Sequence, residues 1–249
     1  MKSQIEFVDV VKKYKETKAL GGLSFTIGTN EFVALVGNNG CGKSTTINIL
    51  CNLISYNSGD VFVFNKKVTP YFVSYKSRLG VLLSRPIFIN EFSPYEYLNF
   101  VCKFQNVDNN LMQQRIEDVI NIFRIANSKS KKIDNYSSGD KMKISFAAAI
   151  IHNPSILILD EPFINLDIQT IDFLLTLLSS FKNKKTLFIT SHNLDLITNL
   201  CERFLIMEDG KIIDDFSKAT NTSIESIKTL IKERVVKHKT NIDTLDWLK

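Results

Sequence analysis

An α/β fold is what this sequence predicts: a mixed, largely parallel sheet carrying helices, an antiparallel β subdomain at the N-terminal end, and a helical subdomain inserted between two strands. Three observations carry that expectation. The runs Phe32-Val33-Ala34-Leu35-Val36, Leu79-Gly80-Val81-Leu82-Leu83, Ile156-Leu157-Ile158-Leu159 and Thr186-Leu187-Phe188-Ile189-Thr190 are continuously apolar, as strands buried on both faces are. The earliest segments alternate or cluster apolar residues with strand period. Residues 93 to about 136 show helical period throughout. With 249 residues, 44% of them hydrophobic, the chain can bury a large core. It reads as one domain, 1–249, with the helical subdomain at about 93–150 and a C-terminal helical extension at about 215–249.

Taken in order, residues 4–14 and 23–27 form the ribbon, with a turn expected at Gly21-Gly22. A helix follows from about Lys43 to Leu53, and a strand at 61–64 opens after Gly59-Asp60. Ser93-Pro94-Tyr95-Glu96 combines an N-cap serine, a proline at the first helical position and a glutamate three residues after the cap, so a helix starts there and runs to about Gln105. Another spans about Leu111–Ile125, with Ile116, Val119, Ile120 and Phe123 on one face. Ser137 caps a helix over Lys141–His152, Asp140 closing a capping box and Pro154 ending the helix. After a helix near Ile168–Phe181, Asp209-Gly210 marks a hairpin between Arg203–Met207 and Lys211–Ile213. An amphipathic helix at about Ser223–Val236 shows Ile224, Ile227, Leu230 and Ile231 on one side, and a polar tail holds the only tryptophan, Trp247.

Composition narrows the functional classes. The net charge of +5 comes from lysines spread along the chain, which read as solvated faces, so no nucleic-acid partner is expected. Cys41, Cys51, Cys102 and Cys201 lack C-x-x-C spacing, which argues against a zinc site or a disulfide framework and fits a reducing compartment. No stretch approaches the roughly 18 apolar residues of a membrane span. The chain is therefore expected to be soluble and to reach a membrane only through a partner.

Gly37-Asn38-Asn39-Gly40-Cys41-Gly42-Lys43-Ser44-Thr45 fits G-x-x-x-x-G-K-[ST] between a strand and a helix. Successive backbone N–H groups would turn inward around phosphate oxygens, with the helix N-terminus behind them. Lys43 would reach the β/γ-phosphates and the Ser44 hydroxyl would hold Mg²⁺. The run 156–159 delivers Asp160-Glu161 at the sheet edge where ligands sit, and the run 186–190 ends in Ser191-His192. These are the parts of a P-loop NTPase core: Asp160 holding Mg²⁺ through water, Glu161 polarising the attacking water, His192 contacting the γ-phosphate. Tyr14, at a strand end, would offer its ring to a purine. No obvious phosphate clamp faces the loop from the other side.

Tyr136-Ser137-Ser138-Gly139-Asp140 followed by ILILDEPFINLD at 156–167 resembles the signature and Walker-B region of ABC (ATP-binding cassette) ATPases, a resemblance covering about residues 4–215. It implies that Tyr14 is the adenine-stacking aromatic, Gly37–Thr45 the Walker A loop and Ser137 with Gly139 the signature. It further implies that Asp160 and Glu161 are the Walker-B aspartate and catalytic glutamate, Asp167 the D-loop residue and His192 the switch histidine. In that family two cassettes face head to tail, and the signature of one caps the ATP on the other. The implied cofactors are ATP and Mg²⁺. The implied partners are a second copy or a homologous cassette and integral-membrane permease subunits, which would place the chain on the cytoplasmic face of the cell membrane. Carried through, the resemblance implies the ATP-hydrolysing subunit of a transporter, with an ending similar to exporters of peptides or antibiotics. A weakly hydrolysing regulatory cassette and a non-transport cassette acting on DNA or ribosomes are the alternatives.

Three departures from the family pattern involve four positions. Ser84 stands where the Q-loop glutamine belongs, a metal-site position at which serine is too short to reach both metal and water. Ser138 and Asp140 replace a glycine and a glutamine, Asp140 bringing negative charge near the partner's γ-phosphate. Cys41 takes the place of a small residue in the loop.

Overall fold

In the computed structural model, which describes residues 3–218 and 224–235, the first segments pair as β1 (Ser3–Tyr14) and β2 (Thr17–Gly28). Their turn lies at Lys15-Glu16, where Lys15 takes φ 50° and Tyr14 pairs with Thr17, and not at Gly21-Gly22 as the sequence suggests. The glycines sit inside β2, where the register slips opposite Val10 and Val11. A bulge uses a left-handed glycine, here Gly22 at φ 92°, as readily as a hairpin does. With β4 (Ser58–Val63) and β5 (Lys66–Lys67), these strands make an antiparallel sheet in the order β2-β1-β4-β5.

The second sheet runs β10-β9-β3-β8-β7-β6 and contains β3 (Phe32–Gly37), β6 (Leu79–Leu82), β7 (Ile156–Asp160), β8 (Thr186–Thr190), β9 (Arg203–Glu208) and β10 (Lys211–Ser217). Its neighbours are parallel except β9 and β10. That hairpin turns through Asp209 and Gly210 at φ 46° and 73°, the paired positive values a type I′ turn requires. Strand period divides the core in two. Val33, Leu35, Ile156 and Ile158 face the antiparallel sheet, while Ala34, Val36, Leu157 and Leu159 face the helices. Burial on both faces explains why these runs show no alternation.

The helices are α1 (Lys43–Leu50), α2 (Pro94–Phe104), α3 (Asn109–Ile122), α4 (Ser138–Ile150), α5 (Ile168–Ser179), α6 (Leu194–Leu200) and α7 (Ile224–Val235). At α2 the capping box forms: Glu96 N donates to Ser93 Oγ at 3.3 Å and Ser93 N to Glu96 Oε2 at 2.8 Å. On α3, Ile116 and Val119 are buried, with Phe123 just beyond its end. Two expectations about α4 need correcting. The helix ends at Ile150, with Asn153 left-handed at φ 56°, so Pro154 follows the stop and does not make it. At the other end Asp140 closes no capping box, because its carboxylate accepts from the Ser137 hydroxyl and not from the Ser137 backbone.

Ile227 and Ile231 of α7 are buried in the helical core. His238, the polar tail and Trp247 lie outside the described residues. Among the described residues, no helix is long and apolar enough to cross a membrane.

Candidate functional site

The C-terminal ends of β3, β7 and β8 meet at one edge of the sheet, and three polar segments leave the strands there. Register makes the juxtaposition: Thr190 of β8 stands beside both Leu35 of β3 and Asp160 of β7. The cleft over this edge, about 190 Å³, is lined by the 39–45 loop, Asp160, Glu161 and His192, with Ala19 from β2. Sites that enclose a drug-sized ligand run to roughly 300–1,000 Å³, so a nucleotide seated here stays partly uncovered by this chain.

The loop is shaped for an anion. Gly40 takes φ 80° with nothing within 4 Å of a Cβ placed there, so its backbone borders open space. Gly42 takes φ 116° at the N-cap of α1, and a Cβ would stand 2.8 Å from Ala19 O and 2.7 Å from Met207 Cε. Glycine at this cap gives no side-chain oxygen to the first turn, which also lacks an acidic residue. The helix's free N–H groups and its positive end remain available to phosphate. Lys43 is buried and donates to Gly37 O at 2.8 Å and Asn38 O at 3.0 Å, which fixes its ammonium against the loop.

Asp160 is 3% exposed and gathers three hydroxyls. Its Oδ2 accepts from Ser44 Oγ at 3.1 Å and Ser84 Oγ at 3.0 Å, and its Oδ1 from Thr190 Oγ1 at 2.6 Å. One carboxylate with two adjacent hydroxyl oxygens is a hard-oxygen donor set that fits Mg²⁺ when substrate phosphates and water complete the shell. Among the described residues no cluster of His, Cys, Asp and Glu could hold a metal alone. Thr190, the third partner, was not singled out from sequence; its only signal is a polar residue closing an apolar strand.

Glu161 is 8% exposed and left-handed at φ 51°. That conformation costs a non-glycine residue roughly 1–2 kcal/mol, and it is held by Glu161 N, which donates to Thr190 O and Thr190 Oγ1, each at 3.1 Å. The carboxylate faces His192: Oε2 accepts from His192 N at 3.2 Å. Oε1 lies 2.9 Å from Nε2 without the alignment of a hydrogen bond, so this contact is electrostatic. Burial raises the Glu161 pKa above the usual carboxylate value, and His192 only partly offsets it. A buried carboxylate raised in this way is a stronger proton acceptor than an exposed glutamate.

Several sequence-predicted residues do not reach the cleft. Tyr14 is half-exposed at the end of β1, with Lys12 Nζ 4.9 Å from its ring centroid. Cys41 turns inward: it is buried, and a Cβ on Gly37 would lie 2.6 Å from its sulfur. Burial raises its thiol pKa against the pull of Lys43, so Cys41 contributes loop backbone and no reactive thiolate.

Ser137, Gly139 and Asp167 lie together elsewhere on the chain. A Cβ on Gly139 would stand 2.8 Å from Asn165 O. Asp167 caps α5, accepting from Thr170 N at 2.9 Å and Thr170 Oγ1 at 2.7 Å. None of the three lines the cleft.

Comparison with known proteins agrees with this geometry. Residues 20–164 match the family model described as ABC transporter. An uncharacterized ABC transporter ATP-binding protein of Methanocaldococcus jannaschii is 30% identical over 214 residues, 86% of this chain and 77% of that one. The bacitracin transport ATP-binding protein of Enterococcus faecalis is 28% identical over 217 residues, 86% of this chain and 70% of its own. Among solved structures, a dimeric ATP-binding cassette in a post-hydrolysis state with ADP and Pi superposes with a TM-score of 0.79 at 22% identity, covering 86% of this chain and 99% of that one. The chain belongs to the ABC transporter family, as one of its ATP-binding ATPase subunits.

Proposed function

We propose that this chain binds MgATP in the cleft and hydrolyses it only when two cassettes close head to tail, and that closure drives a separate integral-membrane permease. The observation that carries the reading is the division of the site. The cleft carries the phosphate loop, Asp160, Glu161 and His192, while Ser137 and Gly139, at the N-terminal end of α4, lie away from it on the same chain. Two-fold pairing brings each half to the other. A solved cassette of the same fold is dimeric.

Within the closed pair, the loop N–H groups from Gly37 to Thr45 and the Lys43 ammonium hold the phosphates. Ser44 and Asp160, with the Ser84 hydroxyl on the same carboxylate, would hold Mg²⁺, and the metal would supply neutralisation of charge on the phosphate oxygens. Ser84 reaches the metal side through the Asp160 carboxylate, although its short side chain leaves the attacking water to others. Glu161 accepts the proton from that water, and His192 orients Glu161 and meets the γ-phosphate. Tyr14 stacks on adenine, and Asp167 lies at the seam between the chains.

The permease would dock in an apolar groove of about 320 Å³ between β6, α2 and α4. Ile87, Phe104 and Leu53 line it at 82%, 73% and 54% exposure. Lys76 is the one charged residue in its lining. An amphipathic segment with an acidic edge suits it, and such docking places the chain on the cytoplasmic face of the membrane. The bacitracin-transport relative supports a peptide or antibiotic cargo. Tagged chain recovered from its own membranes in mild detergent is expected to bring down an integral-membrane protein in stoichiometric amount. Ile87→Asp with Phe104→Asp is expected to lose it while keeping nucleotide binding. Recovery of ribosomes or DNA instead, or a membrane partner indifferent to both substitutions, would overturn the reading.

A further inference from the structure

Ser137 carries one hydroxyl proton, and in this chain it is already engaged. Ser137 Oγ donates to Asp140 Oδ2 at 2.7 Å and accepts from Asp140 N at 3.1 Å, the second bond being the N-cap of α4. The other carboxylate oxygen, Oδ1, lies 3.8 Å from Lys143 Nζ, one turn further along the helix. Asp140 is thereby held over the serine. A phosphate oxygen carries no proton to donate at neutral pH, so it binds Ser137 only by taking the proton that Asp140 now accepts. It also approaches a carboxylate as it does so.

We propose that Asp140 is a positioning residue that holds the Ser137 hydroxyl away from the phosphate of the facing chain, so that two copies close at an ATP concentration set by competition for one proton. This rests on the head-to-tail reading above. The cap is separable from the competition, because the cap uses the Asp140 backbone N–H, which a side-chain change leaves in place. An asparagine at 140 keeps an oxygen that accepts from the serine but removes the negative charge, so the competing bond loses its charge assistance and the serine proton is more easily taken by phosphate. Charge-assisted hydrogen bonds are worth roughly tenfold or more in an equilibrium constant.

The experiment is an ATP titration of dimer formation by light scattering, with Glu161→Gln in every protein to prevent turnover. Adding Asp140→Asn is expected to lower the half-saturating ATP concentration about tenfold. In otherwise unsubstituted protein it lowers KM for ATP and leaves kcat within about twofold, a split that a purely structural role would not give. In a Ser137→Ala background, Asp140→Asn is expected to keep only the small part of the shift that comes from removing an exposed charge, less than about threefold, since the residue acts chiefly through the serine. An unchanged ATP requirement, or an equal shift with Ser137 absent, overturns the proposal and leaves the dimer standing. Protein that remains monomeric at every ATP concentration, with and without Asp140→Asn, overturns the head-to-tail reading and this proposal with it.

Discussion

Glu161→Gln is expected to lower ATP turnover about 10³-fold while leaving nucleotide affinity within a few-fold, because it removes the proton acceptor and little else. General-base catalysis contributes typically 10²–10⁴-fold. The amide keeps the shape of the side chain and an oxygen to accept from His192 N, which Glu161 Oε2 now does at 3.2 Å. A pH profile sharpens the assignment. Since burial raises the Glu161 pKa, the ionised base is lost as pH falls through a value above the ~4.3 of an ordinary glutamate. Turnover of the unsubstituted protein therefore falls on the acid side above the usual carboxylate range, and this limb is absent from the residual rate of the variant. Turnover within threefold of the unsubstituted protein would assign the water to another group.

The second large effect is expected at Lys43. Lys43→Ala should weaken ATP binding about 10²-fold or more, since losing one partner of a buried, hydrogen-bonded charge pair costs 2–5 kcal/mol or more. Structure adds a second consequence. The Lys43 ammonium donates to the buried Gly37 O and shares Asn38 O with Cys41 N, so its removal takes a donor chiefly from Gly37 O. An unsatisfied buried acceptor costs about 1–3 kcal/mol. The thermal midpoint of the nucleotide-free protein should then fall as well. Calorimetric titration and a melting curve measure the two separately, and a variant that binds ATP as the unsubstituted chain does would remove Lys43 from the site.

Much of the site was legible in the sequence because each part sits where a local pattern ends. Burial on both faces makes β3, β7 and β8 continuous apolar runs, so the residues that follow them, the phosphate loop, Asp160-Glu161 and His192, stand out by contrast. Misreadings came where one local pattern serves two structures. Gly21-Gly22 marks a bulge as well as a turn, and a serine followed by an acid three residues on gives a capping box at Ser93 but a side-chain bond at Ser137. Thr190 and Ala19 gave no usable signal. Their roles depend on strand register, the one placing Thr190 beside Asp160 and the other bringing β2 to the cleft, and register arises from pairing between distant segments. The inward turn of Cys41 was equally hidden, since a loop motif fixes backbone geometry and leaves open which way a variable side chain points. Ser84 was legible as a departure, and only the structure shows its hydroxyl on Asp160 with that of Ser44.

Whether the site is shared between two chains is decided by the solution mass of Glu161→Gln with and without MgATP, followed by light scattering on a sizing column. ATP without hydrolysis should hold the two cleft halves against two signature helices, giving a species of twice the chain mass that reverts to a single chain when ATP is withdrawn. A protein that binds MgATP and keeps the mass of one chain at every concentration would show the cleft to be complete in itself, and the head-to-tail mechanism would be wrong.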